Sequence, residues 1–157
     1  MVAVISVMSQ VAIPTPSMIP LTLQVYVIAL TGYLLGWKRS LIAVIVYVAL
    51  GFIGAPVFAS FQGGASALFG YTGGFIIGFI PLAAMCGISK RKHINLILGI
   101  VGVLICHTVG VLWYTYMSGN FISAILLVSL PYLPKDIIFT VLAYFVADKL
   151  KRKINFL

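Results

Sequence analysis

The chain has almost no acid. Among its 157 residues are two aspartates, Asp136 and Asp148, and no glutamate. Charged residues of either sign make up 8%, against about a quarter in an average soluble domain. Hydrophobic residues reach 62%, and mean hydropathy is +1.19. That shortage of charge excludes a soluble globular domain, a disordered chain and a collagen-like chain. Cysteine is scarce too. Cys86 and Cys106 lie inside apolar segments with no partner at metal-ligand spacing, so they read as small buried hydrophobes. Paired carboxylates, a Walker loop, a G-x-S-x-G elbow and an H-E-x-x-H helix are all missing. An ATP-driven pump would need its ATPase elsewhere, and an intramembrane hydrolase lacks a visible nucleophile and base. The protein is therefore expected not to be an enzyme and to hold no metal or cofactor.

What is present is positive charge and long apolar runs. Ten Lys/Arg residues give a formal net charge of +8. In a soluble protein that would suggest nucleic acid, but here long uncharged stretches separate the charges, so no nucleic-acid partner is expected. Residues 1–37 carry no charge, and neither do residues 40–89. Between 93 and 134 the titratable groups other than Tyr and Cys are His93 and His107. A membrane span needs about 20 predominantly apolar residues to cross roughly 30 Å of hydrocarbon. Each long stretch has room for two spans and a turn. Runs such as Ile42–Ala49 are apolar on every face, unlike the alternation of a β-barrel strand. The chain reads as an all-α membrane protein whose solvent is the lipid bilayer.

The charges also count the spans. They cluster at Lys38-Arg39, at Lys90-Arg91-Lys92, and at Lys149 with Lys151-Arg152-Lys153. Short loops rich in Lys/Arg stay in the cytoplasm, so an even number of spans must separate the clusters. Turn-rich segments lie midway, at 55–72 with Pro56, Gly63, Gly64 and Gly70, and at 118–134 with Gly119, Asn120 and Pro131. Before Lys38, Pro14, Pro16 and Pro20 mark a loop, because proline removes a backbone donor and disfavours helix before it. The expected architecture is a six-transmembrane-helix bundle forming one domain over 1–157, with N and C termini cytoplasmic. The spans fall near 1–13, 21–36, 40–54, 73–88, 94–117 and 134–150. Only Lys135 then lies outside. The first span is short: thirteen residues rise about 20 Å. Either it tilts and thins the bilayer, or the true start lies upstream. It has no basic n-region and no cleavage site, which argues against a signal peptide.

The connections on the non-cytoplasmic side are rich in Gly, Pro and aromatic residues, and eight of the fifteen glycines lie between Gly51 and Gly78. Irregular backbone at membrane depth is tolerated where protein buries it or a cavity is lined by it. The segment from Phe58 through Gln62 and Gly64 to Tyr71, Thr72, Gly73 and Gly74 reads as a cap over an outward-facing cavity; close helix packing through small residues is the plainer alternative. Asp136 falls in the first turn of the last helix. It serves either the helix dipole and free N–H groups there or a ligand, since acids at membrane depth are costly and functional by default. Lys135 is expected to point to another helix face, away from Asp136. His107 lies mid-span, where a bond to a carbonyl or hydroxyl is expected rather than a proton relay. Asp148 reads as a solvated helix-end charge. Tyr33, Trp37, Trp113, Tyr114, Tyr116 and Tyr132 read mostly as interface-belt aromatics, with Trp113 and Tyr116 available to stack on a ligand.

Six stretches stand out: Ile13-Pro14-Thr15-Pro16 with Ile19-Pro20-Leu21-Thr22-Leu23-Gln24, the block Gly32–Gly36, the block Tyr47–Phe58, the glycine-rich Gly63–Phe75, Gly110–Trp113, and Pro134-Lys135-Asp136. Together they resemble the biotin-transporter substrate-binding subunit family (BioY), the S-components of energy-coupling factor (ECF) vitamin importers. The resemblance implies a multi-pass bundle in a prokaryotic cell membrane that takes biotin from outside, as transported ligand rather than cofactor. It also implies partners: an ECF transmembrane coupling protein and two ATPase subunits. By analogy Gln24, Phe58, Gln62, Gly64, Tyr71, Thr72, Gly73, Gly74, Trp113, Lys135 and Asp136 form the substrate site. Asp136 and Gln62 would face the ureido ring. Phe139 and Ile76 stand where many members carry cations for the carboxylate, which leaves Lys135 as the outer-side cation. A related acid such as lipoate, another small vitamin, or an intramembrane accessory role without transport remain the alternatives.

Overall fold

The computed structural model describes residues 1–16 and 19–154 of the chain. Residues 17–18, within the proline-marked loop, and 155–157, at the end of the domain expected over 1–157, lie outside the described residues. Helix dominates, as it must where a backbone has no water to satisfy its N–H and C=O groups. In chain order come α1 (Val2–Ser9), the two-residue strands β1 (Ala12–Ile13) and β2 (Leu21–Thr22), α2 (Gln24–Leu35) and α3 (Trp37–Phe52). A 3₁₀ turn (Ala59–Phe61) and α4 (Ala65–Phe69) then lead to α5 (Gly73–Met85) and α6 (Lys92–Ser118). The last elements are α7 (Phe121–Ala124), a π-turn (Ile125–Ser129) and α8 (Leu133–Ile154).

Helices α1, α2, α3, α5, α6 and α8 fall in order on the six expected spans. The 27 residues of α6 rise about 40 Å; among the described residues it is the one unbroken helix long and apolar enough to cross a membrane, and the bent pair Phe121–Ser129 and Leu133–Lys153 reaches that length together. The 12 residues of α2 and 13 of α5 rise about 18–20 Å. The segment 118–134, expected as open turn, is largely helical. Gly119 and Asn120 end α6 and cap α7, where Asn120 Oδ1 accepts from the Ser123 N–H at 3.0 Å. The apolar run Phe121–Leu130 holds no Gly or Pro, so it winds on into the π-turn and meets α8 at a 44° bend. The turn residues flank this segment and do not fill it.

The proline loop is closed by antiparallel β1 and β2, with Ala12 opposite Thr22. Gly36, at φ +76°, breaks α2 from α3 in a conformation that favours glycine, and Trp37 N–H there donates to Gly87 O at 3.1 Å. Helices α5 and α6 are packed through glycine: a Cβ on Gly78 would collide with Cys106, and one on Gly110 with the Phe75 ring. Close backbone approach of this kind supplies the van der Waals contact that holds helices together where lipid is as apolar as leucine. Helix α8 buries a stripe of Asp136, Thr140, Ala143 and Ala147, which Tyr132 just before the helix continues, the 4-4-3-4 spacing of one helix face. Against it α2 sets Tyr33 on Tyr144, with ring centroids 5.4 Å apart. Tyr33, Tyr114 and Tyr132, expected at the interface, are buried instead.

The three basic clusters meet at one end of the bundle. There Lys92 Nζ lies 2.8 Å from Asp148, beside a cavity of about 510 Å³ lined in part by Trp37, Lys90, Lys92 and Lys151. Cys86 and Cys106 are buried and unbridged.

Candidate functional site

The other end of α8 holds a second cavity, of about 50 Å³, under the proline loop and the 55–72 connection. Proline, acceptable in the first turn of a helix, sits there as Pro134. Asp136 takes its place in the ladder by donating its N–H to Tyr132 O at 2.9 Å. Its carboxylate turns inward, and the residue is 4% exposed. One oxygen, Oδ2, lies 3.1 Å from His107 Nε2, and His107 Nδ1 lies 3.1 Å from Ser129 Oγ. The other, Oδ1, lies 2.7 Å from Lys135 Nζ. Lys135 approaches obliquely, close enough for an ion pair but off the line of a hydrogen bond, so this buried oxygen keeps capacity for another donor.

The Lys135–Asp136 pair departs from the sequence expectation. Adjacent helix positions do point apart, but the long lysine stem curls back over the first turn. Its ammonium donates to Thr22 O at 3.0 Å and sits over the rings of Phe139 (5.3 Å) and Tyr132 (5.9 Å). Phe139, four residues on, is thus the platform that holds the cation.

His107 has the hydroxyl partner expected of it, Ser129, and also an acid 29 positions away. The Ser129–His107–Asp136 chain has the order of a hydrolytic triad. Yet neither Ser129 nor His107 lines the cavity; the group presented there is the carboxylate.

Six of the eleven expected site residues line the cavity: Gln24, Phe58, Gln62, Thr72, Lys135 and Asp136. Gln24 is fixed by its amide, which donates to the buried Tyr47 hydroxyl at 2.9 Å. Tyr47 in turn donates to Val57 O at 3.1 Å. The Phe58 ring stands edge-on to Tyr47, in space that Gly51 leaves by having no side chain. The other five lie off the lining. Gly73 and Gly74 abut Trp113 because a Cβ at either would strike its side chain or Leu68 O. Trp113 donates to Gly70 O at 2.9 Å and so anchors the connection. Tyr71 stacks on Tyr114 at 5.2 Å. Gly64, at φ +88°, bonds its N–H to Gly51 O. Tyr116 is 85% exposed. The cavity also takes Thr22, Phe75, Phe79 and Tyr132, which sequence reasoning did not select. Tyr132 bridges the proline loop to α8 by donating to Ile19 O at 2.6 Å.

A helical bundle with a loop-covered cavity that carries an acid and a cation has the architecture of a membrane solute-binding protein. The chain belongs to the BioY family, whose model matches residues 1–156. It is similar to a probable biotin transporter BioY of Pyrococcus horikoshii, 35% identical over 150 residues, 96% of this chain and 91% of the relative. It is also similar to the biotin transporter BioY of Thermotoga maritima, 38% identical over 85% of this chain and 82% of that one. A crystal structure of the S-component for biotin from an ECF-type ABC transporter matches with TM-score 0.86 and 28% identity, over 96% of this chain and 86% of the solved one.

Proposed function

We propose that this chain is the biotin-capturing S-component of an ECF importer. It would hand its ligand to a transmembrane coupling protein driven by two ATPase subunits. The observation that carries the reading is the pair of half-buried Lys135 and buried Asp136 lining the cavity of a BioY-family bundle. Convergence of the basic clusters at the opposite end supports six crossings in a prokaryotic cell membrane, by α1, α2, α3, α5, α6 and the α7–α8 unit. Both termini would then be cytoplasmic and the cavity would open outward.

Biotin presents a ureido ring with N–H donors and a C=O acceptor, and a carboxylate at the far end of its chain. Lys135 and Asp136 are too close together to serve opposite ends of such a ligand. Side by side they match the ureido edge: Asp136 Oδ1 accepts an N–H while Lys135 donates to the carbonyl. The carboxylate would then lie toward Gln62 and Thr72 at the cavity mouth. Ligand pockets commonly measure roughly 300–1,000 Å³, so binding must part the proline loop and the 55–72 connection.

Purified protein in detergent, titrated with biotin by calorimetry and Trp113 fluorescence, tests the reading. Binding at or below micromolar concentration supports it, and none at micromolar biotin overturns it. Mass spectrometry of the co-purified small molecule distinguishes biotin from lipoate or another vitamin. Dependence of uptake on the ATPase module excludes an accessory role.

A further inference from the structure

We infer that His107 is a positioning residue for the ligand-facing carboxylate, an inference that rests on the biotin-binding reading. The imidazole is buried mid-way along α6, 4% exposed, edge-on to the Phe75 ring at 5.5 Å. A carboxylate only accepts, so the 3.1 Å contact to Asp136 Oδ2 requires a proton on Nε2. Nδ1 pairs with the Ser129 hydroxyl at 3.1 Å. Both ring nitrogens are occupied, and the ring is held between the π-turn and α8. With Oδ2 taken by His107, the carboxylate of this cavity-lining residue cannot rotate freely, and Oδ1 is the oxygen left with unfilled acceptor capacity. His107 touches no ligand on this geometry. It acts by making Asp136 a one-sided acceptor suited to a single N–H donor.

Two isosteres separate this role from packing. The Gln amide nitrogen falls near Nε2 and reaches Asp136; the Asn amide falls near Nδ1 and reaches only Ser129. His107→Gln is expected to hold biotin within about threefold of wild type. His107→Asn is expected to lose roughly 10- to 100-fold, the scale of a hydrogen bond to a charged group. In an Asp136→Asn background the two variants should bind alike. A ligand-free readout comes from the chain's own scarcity: with two aspartates in the sequence, ¹³Cγ-aspartate labelling yields two resonances, and Asp136→Asn assigns them. His107→Asn should move the Asp136 resonance, His107→Gln should leave it near wild type, and neither should move Asp148. Equal affinity and equal resonance positions for the two variants overturn the inference. Failure of wild type to bind biotin overturns the functional reading alone, and the resonances still decide the role of His107.

Discussion

Asp136 and Asp148 are the same residue on the same helix, twelve positions or about 18 Å apart, and their surroundings make them opposites. Asp148 sits at the basic end, its side chain 26% exposed, between Lys92 at 2.8 Å and Arg152 at 2.7 Å one turn on. Water and mobile cations share its charge. Asp136 has a side chain 5% exposed, one partner behind it and an oblique cation in front. Burying a carboxylate without full compensation costs several kcal/mol. The fold accepts that cost at one end of α8 and avoids it at the other. The comparison teaches that the under-satisfied acid is the one set at the cavity, whereas the well-paired acid sits in exposed ion pairs between α6 and α8.

The largest expected effect follows at once. Asp136→Asn keeps the shape but removes the charge and replaces one acceptor with a donor, so biotin affinity should fall roughly 100-fold with the bundle still folded. Calorimetry alongside a ligand-free melting curve checks both halves. Unchanged affinity would return Asp136 to a helix-end role and erase the contrast with Asp148. Lys135→Met keeps the stem over Phe139 and removes the ammonium, with an expected loss of roughly tenfold. The informative comparison is with biotin methyl ester, whose carboxylate is blocked. If Lys135 meets the ureido carbonyl, acid and ester lose the same factor; a loss confined to the acid places Lys135 on the carboxylate. Tyr132→Phe removes the bond to Ile19 O that pins the proline loop, and should cost about threefold in affinity, through faster ligand release in stopped-flow fluorescence.

Much of this plan is legible in the chain because hydrocarbon is unforgiving. Charge clusters and prolines mark where helices end, and the six helices fall where those signals put them. The 118–134 segment misled because Gly119, Asn120 and Pro131 are local signals that say where a helix breaks, not what lies between breaks. At the site, the rarity of charge pointed to Lys135 and Asp136. Their pairing was hidden by lysine's flexibility, and the His107 partnership by a separation of 29 positions. A signal for the latter does exist. Gly110 shares a helix face with His107, and Thr140, Ala143 and Ala147 share one with Asp136. Small residues mark packed faces, and two polar side chains forced onto packed faces must find partners. The glycine pair at 73–74 went the other way: its small size makes room for Trp113, so a packing role stood where a cavity role was expected.

The smallest effect is the one that most sharpens the contrast. Asp148→Asn removes a carboxylate as completely as Asp136→Asn does, on the same helix and with the same change of atoms. Exposed ion pairs contribute little because water screens them and long side chains lose freedom in forming them. Lys92 and Arg152 stay solvated after the change, and no buried charge is stranded. Biotin affinity should therefore stay within about twofold and the melting temperature within about 2 °C. The residual effect should vanish in high salt, where surface charges are screened over a few ångströms. A large loss of affinity from Asp148→Asn would mean that the basic end communicates with the cavity along α8, and burial could no longer explain why the two acids differ.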